Sequence, residues 1–296
     1  MTAVMMAKQE LELGGTYLGT LREANALLND TDALMARMEE EGYLLIRGLH
    51  RPEKVAAARR AILENLDSNE QIDRSHPLMD GVVAPGARGA FLGGSKALTR
   101  SEPFLNLVES PEVMGFFARF LEGEVLTYDY KWLRVVGPGD FTGGHYDIVY
   151  MGRGTKNVYT CWTPLGDIPF EMGPLAILVG SHRFEQVKQT YGQMDVDRDH
   201  VAGWFENDPV AMVDKFGGRW ATTEFEMGDA LIFGMFTMHG SLNNSSNRYR
   251  LSCDTRYQRS DEPVDERWIG ENPIAHYAWN KGEMVPMEVM RKKWGV

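Results

Sequence analysis

The run Gly143-Gly144-His145-Tyr146-Asp147 and the later run Met238-His239-Gly240-Ser241 carry the residues of this sequence best suited to chemistry. Two imidazoles and one carboxylate can hold an iron(II) ion on one face and leave the opposite coordination positions open. Arg250 follows eleven positions after His239. A planar guanidinium there suits a second, carboxylate-bearing reactant, because its paired N–H groups match a carboxylate.

On a strand, His145 and Asp147 would project to one face and Tyr146 to the other. The triplet alone is weak, since short patterns recur by chance and strand histidines are more often hydrogen-bonded structural residues. Its surroundings strengthen it. Gly143-Gly144 lets backbone approach the site, and His239 follows an apolar strand at 231–236. The Asn- and Ser-rich turn 243–247 returns the chain as Tyr249-Arg250-Leu251, which sets Arg250 beside the third ligand. The bland alternative for Arg250 is a salt bridge to a protein acid such as Asp254.

The elements that must position these residues fall into two blocks. Helical spacing of apolar residues predicts a helix over 17–40, with a break near Asn29-Asp30-Thr31-Asp32, a run that could cap a second segment. A strand at 43–49 follows, then a helix from Pro52 to about 66 with Val55, Ala58, Arg59, Ile62 and Leu63 on one side. Residues 67–100 read as a long Gly/Pro/Ser-rich loop, and 102–121 as a helix that restarts at Ser110-Pro111. Beyond Gly123 strands take over, at 124–136, 143–151, 156–163, 175–179, 222–226, 230–236 and 248–257. A mostly helical insertion at 183–220 interrupts them. One domain over 1–296 is expected: a helical part at 1–122, a β-core at 123–260 and a C-terminal tail at 261–296. The fold class is an all-β core with flanking helices, a double-stranded β-helix of the jelly-roll, cupin-like kind.

These residues, in this order, resemble the phytanoyl-CoA hydroxylase-like family of iron(II)/2-oxoglutarate-dependent dioxygenases. The opening strand Glu41-Gly42-Tyr43-Leu44-Leu45-Ile46-Arg47-Gly48 is similar too, as is the element from Gly173-Pro174-Leu175 to Gly180-Ser181-His182, in which His182 reads as structural. The resemblance implies that His145, Asp147 and His239 bind iron(II) and that Arg250 grips 2-oxoglutarate. It also implies that Ser241 donates to that cosubstrate, that Trp162 and Tyr128 line its site, and that dioxygen is the co-reactant, with ascorbate as an accessory reductant. Tyr130, Tyr150, Met151 and Phe236 are the candidates to face substrate, although Tyr128 and Tyr130 serve equally well as core aromatics. Trp204, Phe205 and Trp220 could form a lid, and Arg153, Lys156 or Arg183 could meet an anionic substrate, with solvation their plainer use. Relatives that halogenate carry a small residue in place of the carboxylate, so Asp147 points to hydroxylation of a C–H bond. Desaturation, cyclisation and epimerisation use the same oxidant and stay open.

Two rivals remain at this stage: a non-catalytic jelly-roll binding protein, and a cupin-type enzyme with another metal and no cosubstrate. Arg250 speaks against the second. The 31 Lys and Arg against 42 Asp and Glu give a net charge of −11, which disfavours nucleic acid and anionic membranes as partners. A small molecule is the expected partner. No apolar stretch approaches the roughly 20 residues that cross a bilayer. With no signal-peptide pattern and only Cys161 and Cys253, a reduced, cytoplasmic protein is expected. If Trp162 faces the site, Cys161 faces away from it, as does Cys253 by its parity against Arg250. Both then read as small buried hydrophobes under the helices.

Overall fold

The computed structural model describes residues 2–296, residue 279 by its backbone alone. Two sheets form the β-core, and neither is closed. The larger runs in the order Tyr43–Ile46, Ala230–Gly234, Tyr159–Pro164, Arg250–Arg259, Trp132–Val136, Ala90–Phe91, and Val125–Thr127 also pairs with Arg250–Arg259. The smaller runs His239–Ser241, Leu175–Val179, Arg219–Thr222, Leu18–Thr20.

Strand alternation decides which face of the large sheet meets which partner. Tyr43, Leu45, Trp162, Leu231 and Phe233 turn inward and pack with Leu175, Ile177 and Ala221 of the small sheet. Leu44, Ile46, Cys161, Ile232 and Tyr257 turn outward, under the helices Thr31–Glu41 and Pro111–Phe120. Leu133, Val135, Leu251 and Cys253 lie under the helix Pro52–Ser68, against its buried Val55, Ala58, Ile62 and Leu63. Phe116, Phe117 and Phe120 are all buried, each contributing roughly 1.5–3 kcal/mol by removal from water. Cys161 and Cys253 are unpaired and buried on this outer side.

The strand Arg250–Arg259 departs from the usual apolar interior. Its outward residues are Leu251, Cys253, Thr255 and Tyr257. Its opposite row, Arg250, Ser252, Asp254, Arg256 and Gln258, is polar and buried throughout. Such a row is tolerable only where each group meets a partner or a ligand.

Several expectations from sequence need correction. Residues 17–30 form no α-helix: Leu18–Thr20 pairs in parallel with Arg219–Thr222, so strand pairing overrides local helical spacing, and only a short 3-10 turn at Asn25–Leu27 remains helical. The helix begins at Thr31, where the Asp30 carboxylate accepts from the Ala33 N–H at 3.0 Å, and it ends at left-handed Gly42. The 67–100 segment is not structureless, since it contains the short strand Ala90–Phe91 and the helix Lys96–Thr99. Residues 143–151 do not form a strand. His145 makes a single antiparallel bridge with His239, and the chain then turns at Asp147 into the short helix Ile148–Met151. An N-terminal hairpin of Ala3–Met6 and Gln9–Glu12 escaped the sequence reading. Among the described residues no helix is long and apolar enough to cross a membrane.

Candidate metal and cosubstrate site

His145 and His239 are brought together by their backbones. Each donates its N–H to the other's carbonyl, at 3.0 and 3.1 Å, which leaves the two rings 4.1 Å apart, centroid to centroid. Gly240 permits this approach, because a Cβ there would lie 2.9 Å from the Thr142 carbonyl. The Nδ1 of His145 sits 2.9 Å from the Gly143 carbonyl, and that of His239 sits 3.0 Å from the Thr237 carbonyl. Those bonds place the hydrogen on Nδ1 and leave each Nε2 lone pair for a metal. Burial pushes both imidazoles to lower pKa, keeping them neutral.

Asp147 completes the group: one ligand atom from each of the three residues falls within 4.8 Å of the others. Its Oδ1 lies 3.9 Å from His239 Nε2. Its Oδ2 accepts from Thr160 Oγ1 at 2.5 Å and from Arg256 Nη2 at 3.0 Å. Burial alone would raise this carboxyl, but Arg256 and Thr160 counter it, and the group is held far below the usual carboxylate range. The triad thus forms because the backbone turns after His145, and not through the strand parity expected from sequence.

Arg250 is buried where its strand begins. Its Nη1 donates to Ser252 Oγ at 2.7 Å, while Nε and Nη2 have no partner among the described residues. The salt bridge to Asp254 does not form, for Asp254 is taken by Arg134 at 2.7 Å and faces Arg256 at 3.9 Å. Burial and the nearby Arg134 lower Arg250 to about 10, so it stays cationic at neutral pH. Trp162 lies 6.0 Å from the Arg250 guanidinium, and its indole N–H is also buried without a partner. Ser241 accepts from the Thr142 N–H at 2.9 Å, which leaves its own hydroxyl hydrogen to donate. An orphaned buried guanidinium is costly unless a carboxylate joins it. Two neutral imidazoles and an ionised carboxylate suit iron(II), and the unspent donors beside them suit a dicarboxylate such as 2-oxoglutarate.

A cavity of about 420 Å³ opens over His145 and Asp147. Of the expected substrate-facing residues, Tyr130, Tyr150 and Met151 line it, and Trp204 stands in its wall. The remaining candidates lie elsewhere. Tyr128 is buried in the core with its hydroxyl on Gln258. Phe236 belongs to a separate cleft beside the helix Thr31–Glu41, with Lys156 and Lys188 over its ring. Phe205 packs against Tyr191 and Phe216, and Trp220 donates to the Pro209 carbonyl in the core, so neither forms a lid. Arg153 is bound to Asp195, and Arg183 to backbone carbonyls of Glu39 and Glu40. His182 sits against Gly42 with its Nε2 on the Glu39 carbonyl, a structural contact.

Sequence reasoning missed Arg256, Thr160, Trp132, Arg134, Phe91 and His276. The first could have been found from the polar alternation Arg250, Ser252, Asp254, Arg256. Trp132 and Arg134 continue the parity of Tyr130. Phe91 and His276 carried no such signal, because the 67–100 loop and the C-terminal segment reach the cavity only through tertiary packing. The Arg267 guanidinium fixes that segment by ion pairs to Asp265 at 2.6 Å and Asp197 at 2.5 Å. Asp197 in turn accepts from His276 Nδ1 at 2.8 Å.

Comparison with known proteins agrees with this geometry. A hydroxylase of Streptomyces exfoliatus, 1-deoxypentalenic acid 11-beta-hydroxylase, is 24% identical over 246 residues, covering 80% of this chain and 84% of that one. The carbocyclase SnoK from nogalamycin biosynthesis superposes with a TM-score of 0.57 at 19% identity, covering 82% of this chain and 89% of its own. The epimerase SnoN, solved with Fe3+, alpha ketoglutarate and nogalamycin RO, superposes at 0.56 with 17% identity, covering 80% and 86%. The family model for phytanoyl-CoA dioxygenase (PhyH) matches residues 38–252, which span every triad ligand and Arg250. The chain belongs to the phytanoyl-CoA dioxygenase family of iron(II)- and 2-oxoglutarate-dependent enzymes.

Proposed function

We propose that residues 1–296 act as one catalytic domain that hydroxylates an unactivated C–H bond of a small, largely apolar metabolite. The substrate is converted to its alcohol while 2-oxoglutarate and dioxygen become succinate and carbon dioxide. The observation that carries this reading is the pair of unspent Arg250 N–H donors behind the His145, Asp147 and His239 cluster. The family and the named hydroxylase relative support it.

Iron(II), 2-oxoglutarate and dioxygen would supply the hydrogen-abstracting oxidant; the protein supplies position and a dry site. His145, Asp147 and His239 would hold the metal. Arg250, Ser241 and the Trp162 N–H would take the far carboxylate of the cosubstrate. Thr160 and Arg256 keep Asp147 ionised and turned so that one oxygen remains for the metal. Tyr130, Trp132, Tyr150 and Met151 would wall the substrate and shield the reacting carbon from water. A reducing compartment such as the cytoplasm suits the two unpaired cysteines.

Anaerobic addition of iron(II) and 2-oxoglutarate should give a weak visible charge-transfer band, and substrate should trigger succinate release. A protein that binds neither iron nor 2-oxoglutarate would overturn the reading. Mass analysis of the product separates hydroxylation, which adds one oxygen, from desaturation, which removes two hydrogens, and from epimerisation, which leaves the mass unchanged.

A further inference from the structure

Aromatic rings make up much of the cavity wall, and two arginines reach it, of which Arg134 is the one open to solvent. Arg134 stands in the strand Trp132–Val136 and lines the cavity together with His145 and Asp147. Its Nε donates to Asp254 Oδ2 at 2.7 Å, and the Phe91 ring lies 5.7 Å from its guanidinium carbon. Neither Nη atom has a hydrogen-bond partner among the described residues. The guanidinium is therefore anchored by one edge while its terminal N–H groups stay available. A carboxylate fits such a fork through two parallel N–H···O bonds. The side chain is 25% exposed, so a ligand can reach it.

The neighbouring arginines have other tasks. Arg256 spends Nη2 on Asp147 under the Trp132 ring at 4.3 Å, and its Nε and Nη1, without hydrogen-bond partners among the described residues, are buried with Nη1 3.9 Å from Asp254; Arg250 sits beside Trp162 outside the cavity lining. The inner face thus carries three guanidiniums, Arg134, Arg250 and Arg256, against the carboxylates of Asp147 and Asp254. Iron(II) and dianionic 2-oxoglutarate would cancel one another, which leaves one positive charge uncompensated where the dielectric is low. Among the described residues the cavity lining holds no carboxylate besides Asp147, and the acids behind it are paired. Asp195, Asp197 and Asp265 are engaged with Arg153, Arg267 and His276.

Building on the iron(II)/2-oxoglutarate reading, we propose that the substrate is a carboxylic acid with an apolar, ring-bearing skeleton, and that Arg134 binds its carboxylate. Tyr130, Trp132, Tyr150, Met151 and Trp204 hold the skeleton. Fixing one end at Arg134 selects which carbon comes to rest over His145 and Asp147, so Arg134 sets both the acid preference and the position attacked.

The test pairs acids with their neutral esters. Adamantanecarboxylic acid, naphthoic acid and their methyl esters are titrated into anaerobic enzyme loaded with iron(II) and 2-oxoglutarate. Quenching of tryptophan fluorescence reports binding, since Trp132 and Trp204 line the cavity. Each acid should bind roughly tenfold or more tighter than its ester. Arg134→Gln should erase that preference by weakening the acid alone, and Arg134→Lys should keep part of it. The visible band should show 2-oxoglutarate affinity altered less than about threefold in both variants, a change worth well under the energy of one charge-assisted bond. Equal behaviour of acid and ester in the wild type, including failure of both to bind, overturns the proposal. So does equal weakening of acid and ester in Arg134→Gln, or loss of the 2-oxoglutarate band with the acid preference intact. Absence of the band from the wild type would instead sink the underlying reading, and the fluorescence comparison would still judge the carboxylate site.

Discussion

Arg256 holds the Asp147 oxygen that faces away from the histidines: its Nη2 lies 3.0 Å from Oδ2, while Oδ1 lies 3.9 Å from His239 Nε2. The carboxylate is thereby ionised and oriented by one contact. Arg256→Met keeps similar bulk and removes both effects, leaving Asp147 buried with only Thr160. Metal affinity should fall roughly 10–100-fold, the usual effect of losing an outer partner of a ligand. The deficit should deepen as pH drops, since proton and metal compete for the same oxygen. Manganese(II) titrations of wild type and variant at two pH values check both parts; equal affinities would count against it.

Arg250 makes a prediction of unusual sign. A structural arginine would destabilise the protein on removal, but this one is buried with two donors unsatisfied. Arg250→Met should therefore leave the metal- and cosubstrate-free protein as stable as wild type, or more stable by about 1–3 kcal/mol. The same variant should lose 2-oxoglutarate binding by roughly 100-fold, as expected when a desolvated charge pair can no longer form. Thermal unfolding and a 2-oxoglutarate titration read the two halves separately. A large drop in melting temperature would assign Arg250 to the fold instead.

His50 gives the pH dependence of stability. It is buried, with Nε2 on Thr163 Oγ1 at 2.9 Å, and burial lowers it to about 4 from the ordinary 6.5. The unfolded chain takes up a proton near 6.5, whereas the native imidazole resists until near 4. Its contribution is thus complete above 6.5 and is lost as pH falls toward 4. Between neutral pH and pH 5 the loss should be about 2 kcal/mol. His145 and His239 act in the same direction, so the comparison is between metal-free wild type and His50→Gln. Urea unfolding should show a shallower decline in the variant, and parallel curves would refute it.

Asp197 joins the C-terminal segment to the insertion. Its side chain accepts from Arg267 and His276, and from the backbone N–H groups of Tyr277 and Ala278 at 2.7 and 2.8 Å. Asn cannot satisfy these donors with one oxygen. Asp197→Asn should cost about 3 kcal/mol, as for a broken buried ion pair. Hydrogen exchange should accelerate over 264–278, substrate KM should rise, and metal affinity should hold. Exchange unchanged over that segment would show that the wall stands without this carboxylate.

The triad and Arg250 were legible because their residue types are rare in combination and their order along the chain is fixed by strand connections. The fold class was legible for the same reason, together with the alternation that put Cys161 and Cys253 outward and Trp162 inward. What failed was local. The 17–30 stretch reads as helix until a partner strand far along the chain claims Leu18–Thr20. Asp147 reads as a strand residue until the chain turns beneath it. Phe236 falls near the ligand in sequence yet enters another cleft, because it lies within the turn 234–237 that precedes His239. His276 and Phe91 reach the cavity from segments with no periodic signal, so only packing could reveal them.

The two thiols sit on the far side of the sheet from the metal ligands, and burial pushes Cys161 up to about 12. Neither forms a thiolate that could capture iron or quench a stray oxidant. When turnover runs without substrate, self-damage should therefore fall on the Met151 thioether and the phenol and indole rings lining the chamber. Peptide mapping after uncoupled turnover should find added oxygen on Met151, Tyr130, Trp132 or Tyr150 and both cysteine sulfurs intact.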